Sequence, residues 1–221
     1  MNHDMPEPAT VVPWLYWSLL PLHRLFLSLY FRQIVIQGAE HLPVNGPAVL
    51  APKHLSRWDP VVLGVLSVEP LWFMTNANQF EGVQGWFIQR LGAFPVDLAR
   101  PKVSSFRTAI ALLQAGKKLV LFPEGGIVPQ QPLRSLKPGL ARMVLQAEAT
   151  SDSGAIPIVP ISLRYDPRDE RRAAIIIRIG PPLYAADFQQ ADDKQTAVVL
   201  TQALEAALLN GLRQIGNGAD A

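Results

Sequence analysis

The chain has 221 residues with 20 Lys and Arg against 18 Asp and Glu, a net charge of +2, and no cysteine. That length suits one domain with a full core, and the missing thiols exclude disulfides, thiol catalysis and zinc–thiolate sites. A pI near 9.0 with so small a net charge excludes a typical nucleic-acid binder. Apolar residues make up 49% and charged residues only 17%, against about a quarter in soluble domains, so part of the surface is expected to lie against lipid.

Residues 1–10 are polar and carry Asp4 and Glu7 but no Lys or Arg. They predict a disordered tail without the basic start of a secretory signal. Residues 11–33 are apolar and aromatic, and long enough to be weighed as a membrane span. Pro21, His23 and Arg24 sit near the centre, however, and a central Arg costs about 2.5–3.5 kcal/mol on insertion. Two short helices broken at Pro21 and lying in one leaflet fit better. Trp14, Tyr16, Trp17 and Tyr30 are the residue types found at membrane interfaces. The alternative is a helical hairpin packed on the protein's own core.

Residues 34–221 read as the main domain. Ile34–Ile36 is a short strand, and Asn45-Gly46 marks a turn. His3, His23 and His41 have no ligand-like neighbours, and His41 reads as a loop residue, so a transition-metal site has little support. Ala48–Ala51, bounded by Pro47 and Pro52, reads as a buried strand. Val61–Leu66 reads as a buried helix with Asp59 as N-cap and Pro60 at the first helical position. His54 and Asp59 thus sit where a strand hands over to a helix, a common place for chemistry in an open α/β sheet. Residues five apart do not meet on a helix or on a strand. In a tight turn they can, and a carboxylate would then fix the imidazole tautomer and leave the other nitrogen as a base. The plain alternative is a capping Asp beside a polar loop His.

Leu71–Met74 is a further buried strand. Residues 79–91, with Phe80, Trp86, Phe87 and Ile88, read as an irregular apolar helix, expected in the core unless it lines an apolar groove. Ala93–Asp97 is a short strand. Pro101 opens a helix with Val103, Phe106, Ile110 and Leu113 inward and Gly116 as its stop. Lys118–Phe122 is a strand running into Pro123-Glu124-Gly125-Gly126, where glycines permit close backbone approach to a ligand. After a Pro- and Gln-rich loop, Pro138-Gly139 opens a helix with Leu140, Val144 and Ala147 on one face. Ile156–Leu163 reads as a central strand buried on both faces. Arg168–Arg172 is a charged turn, and Ala173–Ile179 a return strand. Residues 192–215 form a closing amphipathic helix. Strands alternating with helices predict an α/β fold with a mainly parallel central sheet flanked by helices.

His54-x-Ser56-x-x-Asp59-Pro60 resembles the first signature block of the glycerolipid acyltransferases, in particular the 1-acylglycerol-3-phosphate acyltransferases. Gly92–Asp97, Phe122–Gly125 and Ile158–Ile161 resemble the second, third and fourth blocks, in the right order, across residues 34–180. Two features depart from the family pattern. Leu98 stands where an Arg usually follows the Asp of the second block, and Gly126-Ile127-Val128 replaces the usual continuation of the third.

The resemblance implies O-acyl transfer from acyl-CoA or acyl-acyl carrier protein to the free hydroxyl of a membrane lysophospholipid, with no cofactor and no metal. It also implies an enzyme associated with a membrane surface at its cytoplasmic face. His54 would be the general base and Asp59 its support, and Ser56 would have a structural role beside them. Glu124, Gly125 and Gly126 would hold the acceptor head group, with Pro160 of the fourth block. With Leu98 in the second block, Arg100 or Lys137 would supply the cation for the acceptor's phosphate. An acceptor other than lysophosphatidic acid, a catalytically silent lipid-binding homologue, and a hydrolase activating water on the thioester are the competing readings.

Overall fold

The computed structural model describes residues 10–97, 103–150, 154–168 and 170–217. Seven strands form one sheet in the order β1-β7-β6-β2-β5-β3-β4. These are β1 (Gln33–Gln37), β2 (Ala48–Pro52), β3 (Trp72–Asn76), β4 (Ala93–Val96), β5 (Lys118–Val120), β6 (Ile158–Asp166) and β7 (Ala174–Ile179). From β6 across to β4 the strands are parallel; β7 returns antiparallel to β6, and β1 lies parallel to β7.

β2 lies at the centre, and all five of its residues are buried. Alternation sends Val49 and Ala51 to one face of the sheet and Ala48 and Leu50 to the other. Helices α4 (Val103–Gln114), α5 (Gly139–Ala149) and α6 (Asp193–Asn217) cover the first face through Ala109, Leu113, Val144, Leu200 and Leu204. On the second, Leu27 and Phe31 of the N-terminal segment and Val62 and Leu63 of α2 (Asp59–Leu63) meet Val159, Ile161 and Leu163 of β6. A sheet buried on both faces is what the apolar runs at β2 and β6 predict.

Several expectations change. The N-terminal segment is one continuous helix, α1 (Pro13–Tyr30), with Pro21 inside it. Proline removes one backbone bond there, to the carbonyl of the exposed Trp17, but its fixed φ suits a helix. Tertiary ties compensate along the helix: Val12 N–H bonds Arg90 O at 2.9 Å, Tyr16 Oη bonds Val68 O at 3.0 Å, and His23 Nε2 meets Val61 O at 2.8 Å. His41 is likewise held, its Nδ1 lying 2.9 Å from Ile179 O.

Residues 82–90 form α3 (Gly82–Arg90), but Val83, Trp86 and Phe87 are exposed instead of being in the core. Its inward residue is Gly85, set so close to the Phe80 backbone that no Cβ would fit, which turns the large side chains outward. Val103, at the start of α4, is also exposed, and Ser105 and Ala109 take the inward positions with Ile110 and Leu113. Asp59 is the first residue of α2, preceded at the cap by Trp58, and it is not the N-cap. No helix among the described residues is long and apolar enough to cross a membrane.

Candidate active site

β2 and β5 are parallel neighbours, so the turns that follow them emerge side by side from one edge of the sheet. The first turn runs from Lys53 into α2. Its backbone folds so that Asp59 N–H bonds Ser56 O at 3.1 Å, and the carboxylate points back into the turn instead of along the helix. Asp59 Oδ2 lies 2.8 Å from His54 Nδ1 and accepts the Leu55 and Ser56 N–H groups at 2.7 and 3.0 Å. Its Oδ1 accepts the hydroxyl of Tyr165, on β6, at 2.7 Å.

An ionised carboxylate only accepts, so Nδ1 donates to Asp59, and in the neutral ring the lone pair then lies on Nε2. Asp59 is fully buried, whereas the His54 side chain keeps 14% of its surface exposed. The Phe122 ring stacks on the imidazole, 3.9 Å between centroids and 21° between planes. The spacing His54-x-x-x-x-Asp59 therefore does what the turn argument predicts: the imidazole is oriented, one nitrogen is occupied and the other can take a proton.

Ser56 is buried, and its Oγ accepts the Trp58 N–H at 3.1 Å. The Trp58 ring packs beside Phe26, Tyr30 and Phe31, which joins the turn to the end of α1.

The second turn, 121–128, carries Glu124, which the resemblance would place on the acceptor head group; its oxygens are instead taken up by the backbone and by Lys53. Glu124 is buried. Its Oε1 accepts the His54 N–H at 3.0 Å, and its Oε2 accepts Lys53 Nζ at 2.8 Å and the Arg134 N–H at 2.9 Å. Lys53, fully buried, also donates to Val128 O at 2.8 Å, and Val128 N–H bonds His54 O at 3.0 Å. Glu124 thus binds the two turns together and closes the loop from 124 to 134.

Gly125 takes a φ of 68°, a conformation that favours glycine, and its N–H is occupied by Phe122 O at 3.1 Å. Gly125 and Gly126 both face open space. Pro160 is buried in β6 opposite Ala51, with its carbonyl accepting Gly180 N–H at 2.9 Å, so it lies within the sheet and not on the surface of the site. Lys137 is exposed just ahead of α5. Leu98, Arg100 and Pro101 lie outside the described residues.

Sequence reasoning missed Lys53, Phe122 as a stacking partner, and Tyr165. Lys53 had a legible signal, a lysine directly after a fully apolar strand, where a buried carboxylate on the next parallel strand is the natural partner. Tyr165 shares a strand face with Ile161 and Leu163, but its reach to Asp59 depends on how far β6 outruns β2.

The Acyltransferase family model matches residues 33–164. The chain is 28% identical over 177 residues to the 1-acyl-sn-glycerol-3-phosphate acyltransferase of Bacillus subtilis (strain 168), covering 77% of this chain and 84% of that one. It is 25% identical over 152 residues to the protein of the same name from Streptococcus pneumoniae (strain ATCC BAA-255 / R6), covering 66% of this chain and 53% of that one. The crystal structure of the 1-acyl-sn-glycerophosphate (LPA) acyltransferase PlsC from Thermotoga maritima superposes with a TM-score of 0.68 at 18% identity, covering 91% of this chain and 80% of that one. At that identity the likeness is one of fold.

Proposed function

This chain belongs to the acyltransferase family, and from that premise we propose that it moves a fatty acyl group from an acyl thioester to the free hydroxyl of 1-acylglycerol-3-phosphate, giving phosphatidic acid. The observation that carries the reading is the His54 Nδ1–Asp59 Oδ2 contact of 2.8 Å, with Asp59 fully buried beneath it. His54 Nε2 takes the proton of the acceptor hydroxyl as that oxygen attacks the thioester carbonyl; the imidazolium so formed faces the Asp59 carboxylate. The C–O bond forms, the C–S bond breaks, and the proton on Nε2 goes to the departing thiolate. No acyl-enzyme is required, in keeping with a Ser56 hydroxyl that is buried and bonded to Trp58 N–H.

The donor would be acyl-CoA or acyl-acyl carrier protein. The acceptor's phosphate needs a cation, for which Lys137 and Arg100 are the candidates. Contact with the lipid surface is assigned to α1: Leu15 and Leu27 face the protein, while Trp14, Trp17, Leu22, Leu25 and Leu29 stand exposed along the helix. An exposed apolar stripe of that kind supports monotopic attachment.

The test is a radiolabelled acyl donor offered with a panel of lysolipids. Labelled phosphatidic acid from lysophosphatidic acid is the expected product. Label released only as free fatty acid would make the enzyme a hydrolase, and transfer only to lysolipids without a terminal phosphate would change the acceptor. Flotation with phospholipid vesicles checks α1: Trp14→Ala with Trp17→Ala should weaken binding, and unchanged flotation would remove α1 from the interface.

A further inference from the structure

Asp59 has four donors around a carboxylate with room for about four. Three of them lie in its own turn and converge on Oδ2. The fourth comes from a different element. β6 pairs with β2 only as far as Pro52↔Ile161 but continues to Asp166, so its last residues stand beyond the end of β2, beside the turn that carries the site. Tyr165 is on that overhang, on the same face as Ile161 and Leu163, buried and close to Phe31. Packing alone would be satisfied by phenylalanine. The hydroxyl reaches Asp59 Oδ1 at 2.7 Å, where it can only donate.

We propose that Tyr165 is a positioning residue that sets the proton affinity of His54 by way of Asp59. Its hydroxyl has two consequences. It holds the carboxylate against rotation, so that Oδ2 stays on Nδ1. It also draws charge onto Oδ1, which moderates how strongly the carboxylate stabilises the imidazolium. A carboxylate without that donor would hold a proton on His54 more firmly than one that has it. The proposal rests on His54 as the base of the proposed transfer, but it concerns a ring titration that exists with or without substrate.

Other titratable groups among the described residues also stand around the turn. Lys53 and Glu124 are paired with each other on the β5 side, and Arg57 is exposed within the turn. On α1, His23 meets Val61 O and Tyr30 packs beside Trp58.

The experiment compares wild type with Tyr165→Phe by 15N NMR of the imidazoles as pH is varied. The chain has four histidines, and the His54 signal is the one lost in His54→Ala. In Tyr165→Phe the His54 midpoint should move to higher pH by about half a unit or more, and the acidic limb of kcat should move with it while KM for the acceptor stays within about twofold. An unchanged or lower midpoint overturns the proposal. If Tyr165→Phe does not fold, 3-fluorotyrosine at position 165 keeps the ring and strengthens the donor, and the midpoint must then move to lower pH; no shift again overturns it. A wild type that shows the titration but no acyl transfer would sink the acyltransferase reading and leave this inference standing.

Discussion

Two carboxylates anchor the two turns at the edge of the sheet, and their partners differ in one respect that decides their roles. Asp59 and Glu124 are both buried, and each accepts hydrogen bonds on both oxygens. The partner of Asp59 is an imidazole that keeps 14% of its surface in the open, so a proton can arrive and leave. The partner of Glu124 is the ammonium of Lys53, shut away completely. The first pair is open to solvent at the imidazole, whereas the second is enclosed and ties the two turns together. A carboxylate within reach of the site is therefore not evidence of ligand binding until its hydrogen bonds have been accounted for.

The comparison is broken most directly at the exposed partner. His54→Ala should lower turnover by about a hundred- to ten-thousand-fold, with little change in the denaturation midpoint. Retention of more than about a tenth of the rate would take the base away from His54. Lys53→Met should do the reverse, destabilising the fold by about 3–5 kcal/mol because Glu124 is left as an uncompensated buried charge. Urea unfolding of the two variants side by side reads the contrast, and equal stability losses would erase it.

How far this was legible in the sequence follows from the same pair of turns. The strand–turn–helix around His54 and Asp59, and the second turn after a parallel strand, were readable because each depends on local signals: apolar runs, prolines and glycines at their ends. What those turns do to each other was not. Lys53, Glu124 and Arg134 meet through the parallel pairing of β2 and β5 and the path of a loop, neither of which leaves a periodic trace. The continuity of α1 through Pro21 and the outward face of α3 were missed for a related reason. Local propensity marked a break and a core helix, and tertiary ties at residues 12, 16 and 23 and the close approach of Gly85 to Phe80 overrode it.

Asp59→Asn is the next smaller break. From sequence alone the amide would be expected to favour the wrong imidazole tautomer. The geometry says otherwise, because an amide oxygen can stay on His54, Leu55 and Ser56 while its NH2 turns to the Tyr165 hydroxyl, which can accept. The tautomer survives and only the charge is lost, so turnover should fall on the order of 10–100-fold, the worth of a charge-assisted bond. A loss as large as that of His54→Ala would mean that the imidazole has flipped. On the side of the enclosed pair, the loop closed by Glu124 leads on to Lys137. Lys137→Ala should raise KM for lysophosphatidic acid about tenfold, or about 1.4 kcal/mol, and leave kcat with an uncharged acceptor alone. Wild-type KM values would pass that role to Arg100.

The smallest expected effect is at Ser56, and it separates two readings that geometry alone puts close together. A serine two residues from His54 invites the idea of a nucleophile activated by the imidazole. The imidazole, however, offers Nδ1 to Asp59, and Ser56 directs its Oγ to the Trp58 N–H at 3.1 Å while its own N–H serves Asp59. The hydroxyl is therefore part of the turn that presents the imidazole. Ser56→Ala removes one acceptor for a backbone N–H and keeps the Ser56 N–H bond to Asp59. Loss of the Trp58 N–H bond should cost about 1 kcal/mol of stability, and the variant should reduce turnover far less than His54→Ala does. Thermal unfolding and the labelled-donor assay on the same preparation measure both. A collapse in turnover comparable to that of His54→Ala, in a protein that is still folded, would mean that an acyl group passes through Ser56, and direct attack by the acceptor hydroxyl would have to be given up.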